Sequence, residues 1–414
     1  MLLRLAVKSL INRWLTVGLT ILTIALSVSL FLAVEKVRTG ARVSFADTIS
    51  NTDLIVGARS GSVQLLLYSV FRIGNATNNI TWESYQDLED RPEVAWMVPI
   101  SLGDSHRGYR VMGTTEAFFD RYKFRGGQSI DFAEGVQFDD LFDAVLGADV
   151  AAALGYKLDD PIIVAHGIAS FTEHDDKPFR ISGILEKTGT PVDRTVFVSL
   201  AAIEAIHVDW RGGKPSNPIS VEAVRQMDLT PKAVTAALVG VTSRLKIFTL
   251  QRAINEYDQE PLLAILPGVA LQELWGIVGI AETALIAISS LVVATTLLGM
   301  TAMIFSGLNE RRREMAIFRA VGAGPQIIAG MLLIEATLIT ALGTLVGVGI
   351  LFTGLLVAQP YIDAAYGLYI PFTGLTLYEV QVIGAVIAAG ALVSLLPAAR
   401  AYKMSLADGM TVRT

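Results

Sequence analysis

LTVGLTILTIALSVSLFLAV, residues 15–34, holds twenty residues without one charge. A helix of that length rises about 30 Å, the thickness of a bilayer's hydrocarbon core. No water is present there to bond a free amide, so a segment that crosses it must be helical. Three further windows have the same character: residues 283–308 without a charge, 327–358 with the single acid Glu335, and 380–397, rich in Ala, Gly and Val. Four membrane helices are therefore expected.

The composition agrees. The chain has 414 residues, 52% of them hydrophobic and 17% charged, where soluble domains carry about a quarter charged. Most of the charge lies between residues 35 and 275, which predicts a water-exposed domain hung between apolar ends. A net charge of −6 provides no broad basic surface for nucleic acid. The absence of cysteine excludes disulfides, thiolate nucleophiles and cysteine-based metal sites.

Orientation follows from the basic residues that flank the spans. Arg4, Lys8 and Arg13 precede the first, Arg311, Arg312, Arg313 and Arg319 separate the second from the third, and Arg400, Lys403 and Arg413 follow the fourth. Residues 359–379 carry no Lys or Arg. The basic segments are expected in the cytoplasm together with both termini, and the large domain outside. The apolar stretch is longer than a signal-peptide core and no small-x-small site precedes Glu35, so the first span is expected to remain as an anchor. The expected organisation is a cytoplasmic interfacial helix (1–14), helix one (15–36), an extracytoplasmic α+β domain (37–272), helix two (273–308), a cytoplasmic helix and turn (309–326), helix three (327–358), a short loop (359–379), helix four (380–397) and a cytoplasmic tail (398–414).

Within the domain, β-rich runs predict strands at 53–56, 95–100, 109–113, 161–165, 179–185 and 195–198. Helices are expected at 140–154, broken at Gly147, and at 231–238 and 249–255, with turns at Gly74-Asn75, Gly126-Gly127 and Gly212-Gly213.

Catalytic motifs are missing. There is no G-x-x-x-x-G-K-[ST], so ATP, if it drives this protein, is bound elsewhere. In Gly57-Ala58-Arg59-Ser60-Gly61 the serine falls one place late for a nucleophile elbow. The tract Glu173-His174-Asp175-Asp176 offers metal-ligand types, but adjacent residues cannot all face one ion and no H-x-x-x-H spacing supports them. It reads as a solvated polar loop, and neither a metal site nor a catalytic set is expected. Glu335 is a functional candidate by its position inside the third span; the plainer reading is a structural acid hydrogen-bonded between packed helices. Glu282 reads as interfacial.

Residues 306–326, SGLNERRREMAIFRAVGAGPQ, are too charged for the bilayer and too short for a domain. They predict a helical continuation of the second span with Leu308, Met315 and Phe318 on one face and Ile317 and Val321 beside it, ended at Gly322 and turned back by Gly324-Pro325. Such a charged helix with an apolar edge suits docking into a groove on another protein, and it serves equally as a positive-inside anchor.

ERRREMAIFRAVGA, residues 310–323, resembles the cytoplasmic signature of ABC transporter permeases of the FtsX, MacB and LolC/LolE type. Leu333-Ile334-Glu335-Ala336 and Leu396-Pro397-Ala398-Ala399-Arg400-Ala401 match the same family, although Ser405 stands where a proline is usual. Arg91-Pro92-Glu93-Val94, Val111-Met112-Gly113-Thr114-Thr115, Val145-Leu146-Gly147 and residues 179–185 resemble its MacB-like periplasmic core domain more loosely. The resemblance implies a non-catalytic permease subunit of a type VII ABC system in the bacterial inner membrane. It pairs with a second permease chain, identical or not, and with ABC ATPase subunits that bind ATP and Mg. It further implies that Glu310, Arg311, Arg312, Arg313, Glu314, Met315, Phe318 and Arg319 contact the ATPase, and that the chain transmits motion for export or lipoprotein extraction, with a periplasmic adaptor or substrate as a further partner. The alternative within the family is an FtsX-like signalling scaffold that activates a periplasmic partner.

Overall fold

The computed structural model describes residues 2–167, 174–211, 214–215, 219–310, 316–317, 319–366, 370 and 374–403. They form two units, one of Met1–Gly40, Gly279–Pro360 and Ile370–Thr414, the other of Ala41–Val278 and Tyr361–Tyr369.

Four helices are long and apolar enough to cross a membrane: Trp14–Asp47, Pro267–Leu308, Pro325–Ile362 and Leu377–Lys403. The short helix Leu2–Asn12 precedes them, with Ala6 and Leu10 buried and Lys8 and Asn12 exposed on the opposite side. Every long helix extends beyond its apolar window. The first continues past residue 36 to Asp47, because Glu35 and Arg38 pair one turn apart and neutralise each other on the helix surface. The second begins at Pro267, a residue pre-shaped for a first helical turn. The third runs through Pro360 to Tyr366. The fourth opens on a capping box between Thr376 and Glu379 and passes through Ser394 into Leu395–Lys403.

Apolar side chains such as Ile24, Leu32, Met300, Leu332 and Ile339 fill the interior of this helical unit. Two glycines one turn apart bring backbones together. A Cβ on Gly343 would lie 2.7 Å from Ile24, and one on Gly347 would lie 2.6 Å from the carbonyl oxygen of Ala25. Small residues at this spacing are what lets membrane helices pack without a water-driven hydrophobic force.

The second unit is mixed α and β. Its main sheet runs Leu262–Ile265, Leu54–Ala58, Ala236–Val241, Val94–His106, Tyr109–Thr114, Thr195–Ser199, Asp143–Leu146, Phe179–Leu185 and Phe132–Gly135. Two neighbouring pairs are parallel, Tyr109–Thr114 with Thr195–Ser199 and Asp143–Leu146 with Phe179–Leu185. Val94–His106 serves both halves: its first part pairs with Ala236–Val241, its second with Tyr109–Thr114, and near its end His166 pairs opposite Asp104. Helices Ser62–Ser69, Trp82–Glu89, Ala117–Arg121, Ala148–Leu154, Leu200–His207, Val221–Val224 and Ile247–Asn255 pack with the sheet. The apolar clusters include Tyr68, Phe118 and Phe197 in one, Phe179, Val196 and Ile206 in another.

Two expected helices are corrected. In residues 140–154 only Ala148–Leu154 is helical, whereas Asp143–Leu146 is a strand buried at every position. A strand covered on both faces loses its alternation and cannot be told from a buried helix by pattern. The break at Gly147 is real, since a Cβ there would lie 2.3 Å from the carbonyl oxygen of Val192. Residues 231–238 supply the strands Ala233–Val234 and Ala236–Val241 instead, the latter held between two other strands; pairing on both edges overrides the helix propensity of its alanines. Residues 161–165 form two short pieces, Pro161–Ile162 and Ala165–His166. Gly74, Gly126 and Gly127 turn the chain with positive φ, while Gly212-Gly213 lies outside the described residues.

Candidate functional site

Of the residues expected to meet an ATPase, Arg311, Arg312, Arg313, Glu314, Met315 and Phe318 lie outside the described residues. Glu310 ends the helix that starts at Pro267. Arg319 is half-buried, in a helical turn with Ala316 buried and Ile317 and Ala320 exposed. Val321 is 83% exposed. Gly322 adopts φ +98° and its N–H bonds the carbonyl of Arg319, after which Pro325 opens the next long helix. The turn thus falls where the sequence puts it, because only glycine enters the left-handed region without strain.

Charged side chains of the helical unit gather near the two ends of its first apolar window, residues 15–34. At one, Glu335 is buried with its carboxylate 3.9 Å from the Arg13 guanidinium. At the other, Lys36 and Glu379 meet at 3.2 Å, Lys36 also donates to the Gly374 carbonyl at 2.9 Å, and Arg38 forks onto Glu35 at 2.7 and 3.0 Å with Glu282 4.0 Å away.

A third constellation, in the other unit, was not foreseen. Pairing of Ala165–His166 with Val94–His106 sets His166 Nδ1 3.3 Å from Asp104 Oδ1. His207 closes the helix Leu200–His207, whose start is fixed by Ser199 Oγ accepting from the Ala202 N–H at 3.1 Å. Its Nδ1 lies 2.7 Å from the carbonyl oxygen of Ile203, which can only accept, so Nδ1 carries the proton and Nε2 is bare. That Nε2 stands 3.5 Å from Asp104 Oδ1 and 3.1 Å from His166 Nδ1. His174 is held by its backbone N–H on the Val164 carbonyl at 2.9 Å, its ring fully buried and both ring nitrogens without a hydrogen bond. One donor atom from each of Asp104, His166, His174 and His207 lies within 4.8 Å of the others.

Trp210 walls the group, its ring 4.4 Å from that of His174 and 5.5 Å from that of His166. The loop is anchored by Lys177, fully buried between Asp176 and Asp209, with the latter at 2.8 Å. Burial, reinforced by the neighbouring His207, pushes His174 down to about 4. Burial also pulls on His207, but the Asp104 carboxylate beside it more than offsets this and its pKa is raised. His106, by contrast, points both nitrogens at protein partners, the Ile163 carbonyl at 2.6 Å and the Tyr156 hydroxyl at 2.9 Å.

The expected solvated loop is corrected accordingly: Asp175 and Asp176 are exposed, but His174 and Lys177 are buried. Glu173 lies outside the described residues. One signal was available, since three of the four histidines fall within residues 166–207.

Residues 17–252 match the family model for the MacB-like periplasmic core domain, and residues 286–406 that for the FtsX-like permease C-terminal region. The macrolide export ATP-binding/permease protein MacB of Azoarcus sp. (strain BH72) is 24% identical over 420 residues, covering 97% of this chain and 58% of that protein. The same-named protein of Nitrobacter winogradskyi is 24% identical over 413 residues, covering 94% of this chain and 56% of its own length. The chain thus spans a little over half the length of these relatives. Among solved structures, the periplasmic region of MacB from Actinobacillus actinomycetemcomitans aligns with a TM-score of 0.35 at 11% identity, over 55% of this chain and 95% of that one. The extracellular domain of the noncanonic ABC-type transporter YknZ from Gram-positive bacteria aligns with a TM-score of 0.32 at 13% identity, over 52% and 100%.

Proposed function

Because the chain belongs to the FtsX/MacB-like family of ABC transporter permeases, we propose that it is the membrane subunit through which a separate ATPase chain moves an extracytoplasmic domain. In this reading the four long helices are the spans, the domain of residues 37–272 lies outside the bacterial inner membrane, and both termini are cytoplasmic. The placement of Lys and Arg at the ends of the apolar windows supports that orientation. ATP and Mg are bound by the partner, since these 414 residues hold no phosphate-cradling loop. Two permease chains and their ATPases form the working assembly.

The observation that carries the reading is the charged segment of residues 306–326. It joins two long apolar helices inside the stretch matched by the FtsX-like permease model, and it presents Ile317 and Val321 to solvent. ATPase closure pushes on this segment, and the helices pass the motion outward. Charges that cluster at the ends of the first apolar window suit transmission of force better than a polar path for a solute. The work done outside is export, as the names of the relatives describe for macrolides, or extraction of a lipid-anchored molecule.

The test is purification of the tagged chain from its own host in mild detergent, with mass spectrometry of what accompanies it. An ABC ATPase is expected with the unaltered chain and is expected to be lost in Phe318→Asp, while insertion and folding persist. Undiminished recovery of the ATPase with that variant would overturn the assignment.

A further inference from the structure

We propose that Asp104, His166, His174 and His207 form a binding site for a divalent transition-metal ion of the zinc type. The inference rests on the geometry of the α/β unit and goes beyond the permease reading.

The donor set comes first. Three imidazole nitrogens and one carboxylate oxygen suit zinc and its neighbours, whereas calcium and magnesium take oxygen ligands. Spacing comes next. Four donors placed tetrahedrally at about 2.0–2.1 Å from an ion lie roughly 3.3–3.5 Å from one another. The three contacts among Asp104 Oδ1, His166 Nδ1 and His207 Nε2 are 3.1, 3.3 and 3.5 Å. His174 closes the set within the 4.8 Å that bounds all four donor atoms.

A purely structural polar cluster fails to explain the bonding. Buried polar atoms are hydrogen-bonded as a rule, and one left without a partner costs about 1–3 kcal/mol. Here both ring nitrogens of the fully buried His174 make no hydrogen bond, and the Oδ1 of the buried Asp104 has only its contacts to His166 and His207 at 3.3 and 3.5 Å. A metal ion would engage one nitrogen of that ring together with the Asp104 oxygen. One outer-shell contact is also in place. Metal-bound histidines characteristically donate their second N–H to a carbonyl or carboxylate, and His207 does so to Ile203, leaving Nε2 turned toward Asp104 and His166.

The supports are firm and the site is reachable. Asp104 and His166 are cross-strand partners, His207 ends a capped helix, and the loop bearing His174 is pinned by Lys177 on Asp209. The His166 side chain is 49% exposed, which opens one side to solvent, while Trp210 covers the ring of His174. A bound ion would join three stretches of chain that are distant in sequence, at residues 104, 166–174 and 207, and would stabilise the folded unit by mass action.

The experiment uses the full chain in detergent, purified on a tag without histidines, stripped with a chelator and dialysed against Zn2+. One equivalent of Zn2+ per chain is expected, undisplaced by excess Mg2+ or Ca2+, and Co2+ in its place should give the intense visible absorption of a four-coordinate ion. His174→Ala and Asp104→Ala should each weaken Zn2+ binding beyond the ~10–100-fold that loss of an outer-shell partner costs. His106→Gln, outside the cluster, should keep one equivalent. The proposal fails if the unaltered chain retains no stoichiometric Zn2+ and gives Co2+ only its weak six-coordinate spectrum, a result that does not depend on any variant folding. It fails equally if the well-folded His174→Ala variant binds Zn2+ as tightly as the unaltered chain.

Discussion

The Lys36 ammonium lies 3.2 Å from the Glu379 carboxylate, and both residues are almost wholly buried. The same carboxylate accepts the Thr376 N–H at 2.7 Å and so completes the capping box that starts the fourth long helix. One acid therefore sets where that helix begins and ties it to the first. Removing one member of a buried pair leaves an uncompensated charge and costs about 3–5 kcal/mol. Lys36→Met should lower the unfolding temperature in detergent markedly. Lys36→Met combined with Glu379→Gln should regain most of the loss, because glutamine still closes a capping box. A double variant no more stable than Lys36→Met alone would refute this.

Gly347 and Gly349 are neighbours in one helix but meet different surroundings. A Cβ at Gly347 would lie 2.6 Å from the Ala25 backbone oxygen, whereas at Gly349 nothing lies within 4 Å. Gly347→Ala should therefore destabilise by about 1–3 kcal/mol through overpacking. Gly349→Ala should be neutral or gain up to ~1 kcal/mol from helix propensity. Thermal unfolding of the two variants side by side checks the order.

Ile317 and Val321 are four residues apart, 56% and 83% exposed, and follow the arginine run. If that edge docks into an ATPase, Ile317→Asp and Val321→Asp should each reduce ATPase recovery at least about tenfold, a loss of ~1.4 kcal/mol, without changing expression. If the arginines act only as an anchor, recovery in a quantitative pull-down will not change.

Two ion pairs of the α/β unit should differ in weight. Lys177 is fully buried against Asp209, and Lys177→Met should cost several kcal/mol. Arg225 and Asp140 are each about two-fifths exposed, and Arg225→Ala should cost no more than ~1 kcal/mol. The Arg225 fork holds Asp140 below the ordinary carboxylate range. Its folded pKa is thus under its unfolded one, so this contribution is full above about pH 4 and is lost as pH falls through the lower folded value. Chemical denaturation at pH 7 and pH 3 should show a larger Arg225→Ala deficit at the higher pH.

The long helices and several strands were legible because each has a period that one kind of surroundings imposes. Phe179–Leu185, alternately buried and half-exposed, matches its expected limits. Asp143–Leu146 was misread because burial on both faces erases that alternation. The helix beyond residue 36 was hidden by charges that look water-exposed in sequence and are paired in space. The segment of residues 306–326 carries its signal locally, so its turn at Gly322 could be read directly. The histidine cluster could not. Its members come from two paired strands, a loop and a helix end, and nothing short of the strand register placing His166 opposite Asp104 brings them together.

The ion pairs that bracket the first apolar window have a consequence for the lipid around it. From Arg13 to Lys36 a helix rises roughly 34 Å, and Glu335 and Glu379 hold those two residues in place. The distance is close to the ~30 Å of a bilayer interior, so the pairs act as depth marks at fixed separation. In thinner or thicker lipid the helices must tilt, or the bilayer must stretch or compress around them, at fractions of a kcal/mol per Å of mismatch. The chain is in this way tuned to one membrane thickness, and acyl length alone would bias where it settles.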